Sequence, residues 1–171
     1  LSIMKHKFSV YFSDSYKNYG LPLIFIQVTK GSGLGFEFLI DTTTKYNWID
    51  PELINFFSIS SDTVSLDKCS IEALGLPLNP FEGVMKELGS QRIICKDGKR
   101  KEVNKFRFNF NFEGKDFSEE FYLLNTTGLF NKIKRAQVVA ILGSNFLKKN
   151  SWIIDYKQLT ISSVVRNEMH K

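Results

Sequence analysis

Histidine and cysteine are nearly missing from this chain, with two of each in 171 residues. His6 and His170 stand near opposite ends, so no Ser-His-Asp, Cys-His or histidine-rich metal constellation can be assembled from the pattern. Cys69 and Cys95 show neither metal-ligand spacing nor a redox motif. They read as buried free thiols of a reducing compartment, which makes a cytoplasmic setting the expectation, with a disulfide between them left open. No run of about 18 apolar residues occurs, and the opening LSIMKHKFSVYF alternates instead of forming a signal-type core, so no membrane partner is expected. The GSGLG at 31–35 is not followed by Gly-Lys-Ser/Thr and leads into a strand, which excludes a phosphate loop. Neither a cofactor nor a metal is expected.

A surplus of acid is also lacking, since the net charge is +5. The lysines are spread along the chain, and the densest basic run, KDGKRK at 96–101, reads as a solvated hairpin tip. Nucleic acid is not the expected partner, because the aromatics of the neighbouring FRFNFNF alternate as a buried strand face should. The tripeptide Asn125-Thr126-Thr127 matches a glycosylation acceptor and is read as a loop.

What the chain has is phenylalanine, 16 residues of it, in a sequence that is 43% hydrophobic. A single domain of this size buries roughly two thirds of its unfolded surface and needs no staple. Period-two or β-branched runs predict strands at 7–12, at LPLIFIQV (21–28), at GFEFLI (35–40), and in hairpins through QRIICKD, GKRKEV, FRFNFNF and FSEEFYLL. QVVAILG, SWIID and QLTISS add three more near the end. LPLIFIQV and GFEFLI form an antiparallel hairpin. Short helices are predicted at 51–57, where Asp50-Pro51 supplies a cap and a first-turn proline, and at 65–74; SNFLKKN makes one or two turns. Residues 76–90, interrupted by prolines and glycines, read as an irregular stretch. The sum is a mainly β, closed antiparallel barrel with a few short helices, one domain over 1–171, carrying an insertion at about 50–90.

With histidine chemistry excluded, carboxylates remain. Asp41 comes directly after the apolar strand FEFLI and precedes three threonines, whereas most other acids fall in turns or on exposed faces. A carboxylate taken out of water costs several kcal/mol unless it is hydrogen-bonded, paired or protonated, and threonine hydroxyls with turn amides supply donors. By itself this pattern fits either an Asx-type turn at a strand end or a reactive acid.

The segment LPLIFIQV, a turn, FEFLIDTTT, and later VVAILGSNFLKKNSWIIDYKQLTI resembles the retropepsin-like aspartic proteases, single-lobed relatives of pepsin. The likeness covers 21–49 and 91–161 in order. It implies a closed acid-protease barrel in which Asp41 is one half of a catalytic aspartic dyad completed by a second copy, with Thr42 bracing the two loops. Ile141, Leu142 and Gly143 match the element that crosses beside that loop and supports it. The hairpin around Ile93 to Val103 is the candidate flap over a peptide or protein substrate, so Thr44, Ile94, Lys96, Asp97 and Gly98 are the implied substrate-binding positions. Thr43 stands where the family has glycine, which places a methyl and a hydroxyl beside the site. The resemblance leaves two readings: an aspartic endopeptidase working as a homodimer, or a catalytically inactive module of that fold binding a peptide or protein partner in the same groove.

Overall fold

A computed structural model describes residues 6–13, 21–28, 35–54, 57, 83–95, 97–124 and 138–163. The predicted helix at 65–74, Cys69, Lys96, the 125–127 tripeptide and His170 lie outside the described residues. The strands are β1 (Ser9–Tyr11), β2 (Leu23–Gln27), β3 (Gly35–Ile40), β4 (Trp48–Ile49), β5 (Met85–Ile94), β6 (Arg100–Phe112), β7 (Lys115–Leu123), β8 (Val138–Leu142), β9 (Trp152–Asp155) and β10 (Thr160–Ser163). A helix, α1 (Ser144–Asn150), comes after β8, as SNFLKKN predicted.

Hydrogen bonding runs β2-β3-β8-β4-β7-β6 and returns from β6 to β2 through Gln27 and Asn111, which closes a six-stranded barrel. β5 attaches to the outer side of β6, and β1, β10 and β9 make a separate three-stranded sheet. The β2–β3 hairpin is antiparallel, as read from the sequence, with Leu23 opposite Leu39. Two seams are parallel, however: β3 with β8, and β4 with β7. Period-two alternation reports burial and carries no strand direction, so an all-antiparallel expectation could not anticipate them.

Alternation does place the core correctly. Phe106, Phe108, Phe110 and Phe112 of β6 point into the barrel with Phe38, Phe117 and Phe121, all buried. Phe38 sits 5.3–5.9 Å, centroid to centroid, from Phe108, Phe110 and Phe121, in tilted or edge-on geometry. The β6–β7 turn needs only Glu113 and Gly114, both at positive φ (48° and 79°), the conformation of a two-residue type I′ hairpin. At Asp50 the expected cap is present: its Oδ1 accepts the Glu52 amide at 2.8 Å, and residues 51–54 are helical.

One expectation is corrected. Residues 85–90 are not irregular but begin β5. The segment MKELGS shows no alternation because β5 is bonded only to β6 and most of it is exposed, and Gly89, which read as a breaker, ends a bulge between Glu87 and Gly89 at φ 93°, opposite Lys105. Among the described residues no helix is long and apolar enough to cross a membrane.

Phe38→Ala leaves a hole among three rings and should cost about 3–5 kcal/mol, a large share of a domain's stability. Urea unfolding monitored by tryptophan fluorescence measures it; a loss below about 1 kcal/mol would mean the aromatic cluster is not the core.

Candidate functional site around Asp41

β3 and β8 run side by side in the same direction and finish together. Ile40 is opposite Leu142, and the Asp41 amide donates to the Leu142 carbonyl at 3.0 Å as the last rung. The carboxylate of Asp41 is therefore delivered by the seam between two buried strands, and the residue is itself only partly buried. Its Oδ1 accepts two donors from one residue: the Thr43 amide at 2.9 Å and the Thr43 hydroxyl at 2.6 Å. Oδ2 receives no hydrogen bond from the described residues.

The Asx bond alone does not single this residue out. Asp50, Asp97 and Asp155 each accept the amide two residues on, at 2.8, 3.0 and 2.9 Å. Among these four, only Asp41 also accepts the hydroxyl of that residue.

The loop from Thr44 to Asn47 is tied down bond by bond. The Thr44 hydroxyl accepts from the Trp48 indole at 2.9 Å, its carbonyl accepts the Ser144 amide at 2.7 Å, and the Lys45 carbonyl accepts the Asn145 amide at 3.2 Å. Asn47 bridges both sides of the loop: Oδ1 accepts the Gly143 amide at 2.9 Å, Nδ2 donates to the Glu120 carbonyl at 3.1 Å, and its own carbonyl accepts the Tyr122 amide at 2.9 Å. Gly143 is where a side chain has no room. A Cβ there would lie 2.8 Å from the Thr44 carbonyl oxygen and nearer still to that of Tyr46. Ile141, Leu142 and Gly143 thus sit beside the Asp41 loop, with Leu142 in the barrel core and Ile141 buried on its outer side.

A closed barrel in which an Asp-Thr loop is carried by one strand and supported by an Ile-Leu-Gly element beside it is the arrangement that the resemblance implied; the parallel direction of that element is the part it did not imply. The fold is retropepsin-like. The chain is similar to the solved structure of a retropepsin-like aspartic protease from Rickettsia conorii, at 12% identity over 95% of each chain and a TM-score of 0.45. It is similar also to the retroviral protease-like domain of Ddi1 from Leishmania major, at 12% identity over 80% of this chain and 82% of that chain, with a TM-score of 0.41. No protein-family model and no curated protein matches it.

The hairpin of β5 and β6 rises from the same end of this retropepsin-like barrel as Asp41. Gln27 is level with Gly35 and with Asn111, so the start of β3 marks the far end, and β6 begins at the end where β3 finishes. Beyond Lys105, the last β6 residue paired to β7, residues 100–104 are paired to β5 alone and form a two-stranded ribbon. Ile94 is 65% exposed. The contact is made by Ile93 and Val103, which are buried with Tyr122 against Tyr46 and Trp48. Asp97 and Gly98 shape the ribbon's tip: Gly98, at φ 80°, donates to the Cys95 carbonyl at 2.9 Å, and Asp97 Oδ1 accepts the Lys99 amide.

Asn47, Tyr46, Trp48 and Tyr122 went unnoticed in the sequence. A clamping asparagine in a loop carries no periodic signal, and the three aromatics fall outside the motifs. Burial first, then Tyr46 and the Glu120 carboxylate, raise the Tyr122 hydroxyl above its ordinary value.

Two outcomes are expected. Gly143→Ala forces the Thr44–Tyr46 backbone away and should cost about 1–3 kcal/mol in urea unfolding, whereas Ser144→Ala, which keeps the amide, should cost far less. Because Tyr122 holds its proton more tightly when folded, its contribution is complete below the free tyrosine value of about 10 and is lost as pH rises through the folded value. Tyr122→Phe should therefore flatten the alkaline fall in stability measured between about pH 8 and 11.

Proposed function

We propose that the chain is an aspartic endopeptidase working as a homodimer, in which Asp41 of each copy contributes one half of a carboxylate pair. The observation that carries this reading is the loop itself. An acid is held at the end of a buried parallel seam by backbone bonds and a glycine contact, with one carboxylate oxygen left unbonded by the described residues. Structural turns need no such fixing, whereas catalysis needs the acid held to within a fraction of an ångström.

The chemistry requires two such groups. Neighbouring carboxylates cannot both ionise, so one retains a proton while the other takes a proton from water as it attacks the peptide carbonyl. A second copy is the source of the other acid in this reading. Thr42 is exposed next to Asp41 and lines a cleft of about 650 Å³ whose other walls include Leu147, Ile153 and Tyr156. Ile153 and Tyr156 are 46% and 59% exposed, and apolar surface beside a bracing threonine suits a symmetric contact.

Thr43 favours the second reading, an inactive module that binds a peptide or protein in the same groove. Its hydroxyl occupies Asp41 Oδ1, and its methyl adds bulk where a glycine would leave space.

Purified protein incubated with a peptide library between about pH 4 and 7, where a carboxylate pair can share a proton, decides between them. Under the endopeptidase reading, Asp41→Asn lowers cleavage by at least about 10²-fold, Thr43→Gly raises it, and Tyr156→Asp shifts sedimentation toward monomer with a parallel loss of activity. Cleavage that survives Asp41→Asn would overturn the proposal. Cleavage absent from both wild type and Thr43→Gly, with peptide still bound, would establish the binding module instead.

A further inference from the structure

A second cleft, of about 420 Å³, opens on the other flank of the Asp41 loop. Its walls bring Lys45, Arg107 and Lys149 together with Glu119 and Glu120, and Tyr46 and Tyr122 complete it. Both acids are already engaged. Glu119 is paired with Lys149 at 3.1 Å, and Glu120 is shared by Arg107 at 3.2 Å and Lys105 at 3.5 Å. Lys45 has no acidic partner among the described residues, so the cleft holds a cation without a counter-charge, one residue away from Tyr46.

The ribbon adds to the same imbalance. Ile93 and Val103 seat it on Tyr46 and Tyr122, which are themselves walls of the cleft. Lys101 lies directly opposite Ile93 in register and two residues from Val103, on the face that overhangs the cleft. Lys99, Arg100 and Lys101 make no ion pair among the described residues. The two acids nearby, Asp97 and Glu102, accept the Lys99 amide and the Ser90 hydroxyl and make no ion pair among the described residues, so these three cations face two acids.

We infer that this cleft and the ribbon above it bind an acidic peptide segment, with Lys45 pairing one carboxylate in the cleft and Lys101 pairing another along the ribbon. The inference rests on the proposed function only in calling that peptide a substrate. A nucleic acid fits less well. Glu119 and Glu120 would face a continuous polyanion, and Tyr122, 8% exposed and edge-on to Tyr46 at 5.1 Å, offers no open ring for a base to stack on. A peptide can place acids opposite the free cations and neutral residues opposite the glutamates.

The test measures fluorescence anisotropy of a labelled glutamate-rich peptide and its glutamine counterpart on the full Asp41→Asn chain, so that cleavage plays no part. The glutamate peptide is expected to bind more tightly, to weaken as salt rises from about 0.05 to about 0.5 M, and to lose about tenfold in affinity with Lys45→Glu or Lys101→Glu while the glutamine peptide changes little. Equal binding of the two peptides, or variants that weaken neither, would overturn the inference. So would an oligonucleotide of matched charge binding more tightly than the glutamate peptide, which would assign the surface to nucleic acid. Wild type that cleaves neutral and acidic peptides at equal rates would defeat this inference and leave the endopeptidase intact. Selective binding of the glutamate peptide by a chain that cleaves nothing would do the reverse.

Discussion

A glycine pressed against two carbonyl oxygens sets the position of everything around Asp41. With any side chain at 143, the backbone of β8 could not approach the 44–46 segment closely enough for the Ser144 and Asn145 amides to reach the Thr44 and Lys45 carbonyls. Those bonds cap the start of α1, whose own first amides have no partners inside the helix, so one contact satisfies the helix end and pins the loop together. The loop's geometry is thus set jointly by the barrel and by the loop's own Thr44 and Asn47. That support separates Asp41 from Asp97, which makes the same amide bond at the tip of a two-stranded ribbon.

Rigidity at the loop and looseness at the ribbon are two sides of one construction. The Asp41 loop is held from both flanks by backbone-directed bonds, and breaking any one leaves a polar group wanting a partner. The ribbon is held at its base by apolar burial of Ile93 and Val103, and beyond β7 by pairing between its own two strands. Burying such a side chain fully is worth about 1.5–3 kcal/mol. Lifting the ribbon off its base would expose two of them, a cost of several kcal/mol that keeps a fully raised state rare. Movement of the tip costs none of this burial. The tip is also where Lys99, Arg100 and Lys101 stand without an ion pair among the described residues.

The parts of this structure that were legible from sequence are those where one strand face is dry and the other wet. FRFNFNF announced its strand, its phase and its place in the core, because the barrel interior accepts only its phenylalanines. Strand direction was not legible, since parallel and antiparallel neighbours impose the same alternation. MKELGS was misread for the opposite reason: an outer strand with little buried surface has no pattern to show, and a bulge glycine looks like a loop glycine. At the site, apolar delivery of Asp41 was visible because it is a strand property, and the Ile-Leu-Gly companion because of the family resemblance. Asn47 was invisible because its value lies in three bonds to residues distant in the chain.

Thr43 is best understood against that rigid background. Were the loop loosely held, a β-branched residue in place of glycine would be absorbed by a shift of the backbone. Here the loop cannot shift without giving up the bonds to 142–145, so the hydroxyl must find its place within the existing geometry, and it does so on Asp41 Oδ1. The consequence is asymmetric. One oxygen of the carboxylate is committed to Thr43, and the other is left for whatever approaches from outside, whether the acid of a second copy, a water or a bound peptide. A pair of carboxylates sharing a proton needs only one oxygen from each side, so the hydroxyl restricts the geometry of the pair without forbidding it. The methyl group is the stricter test, because it takes up volume that no rearrangement of hydrogen bonds can return.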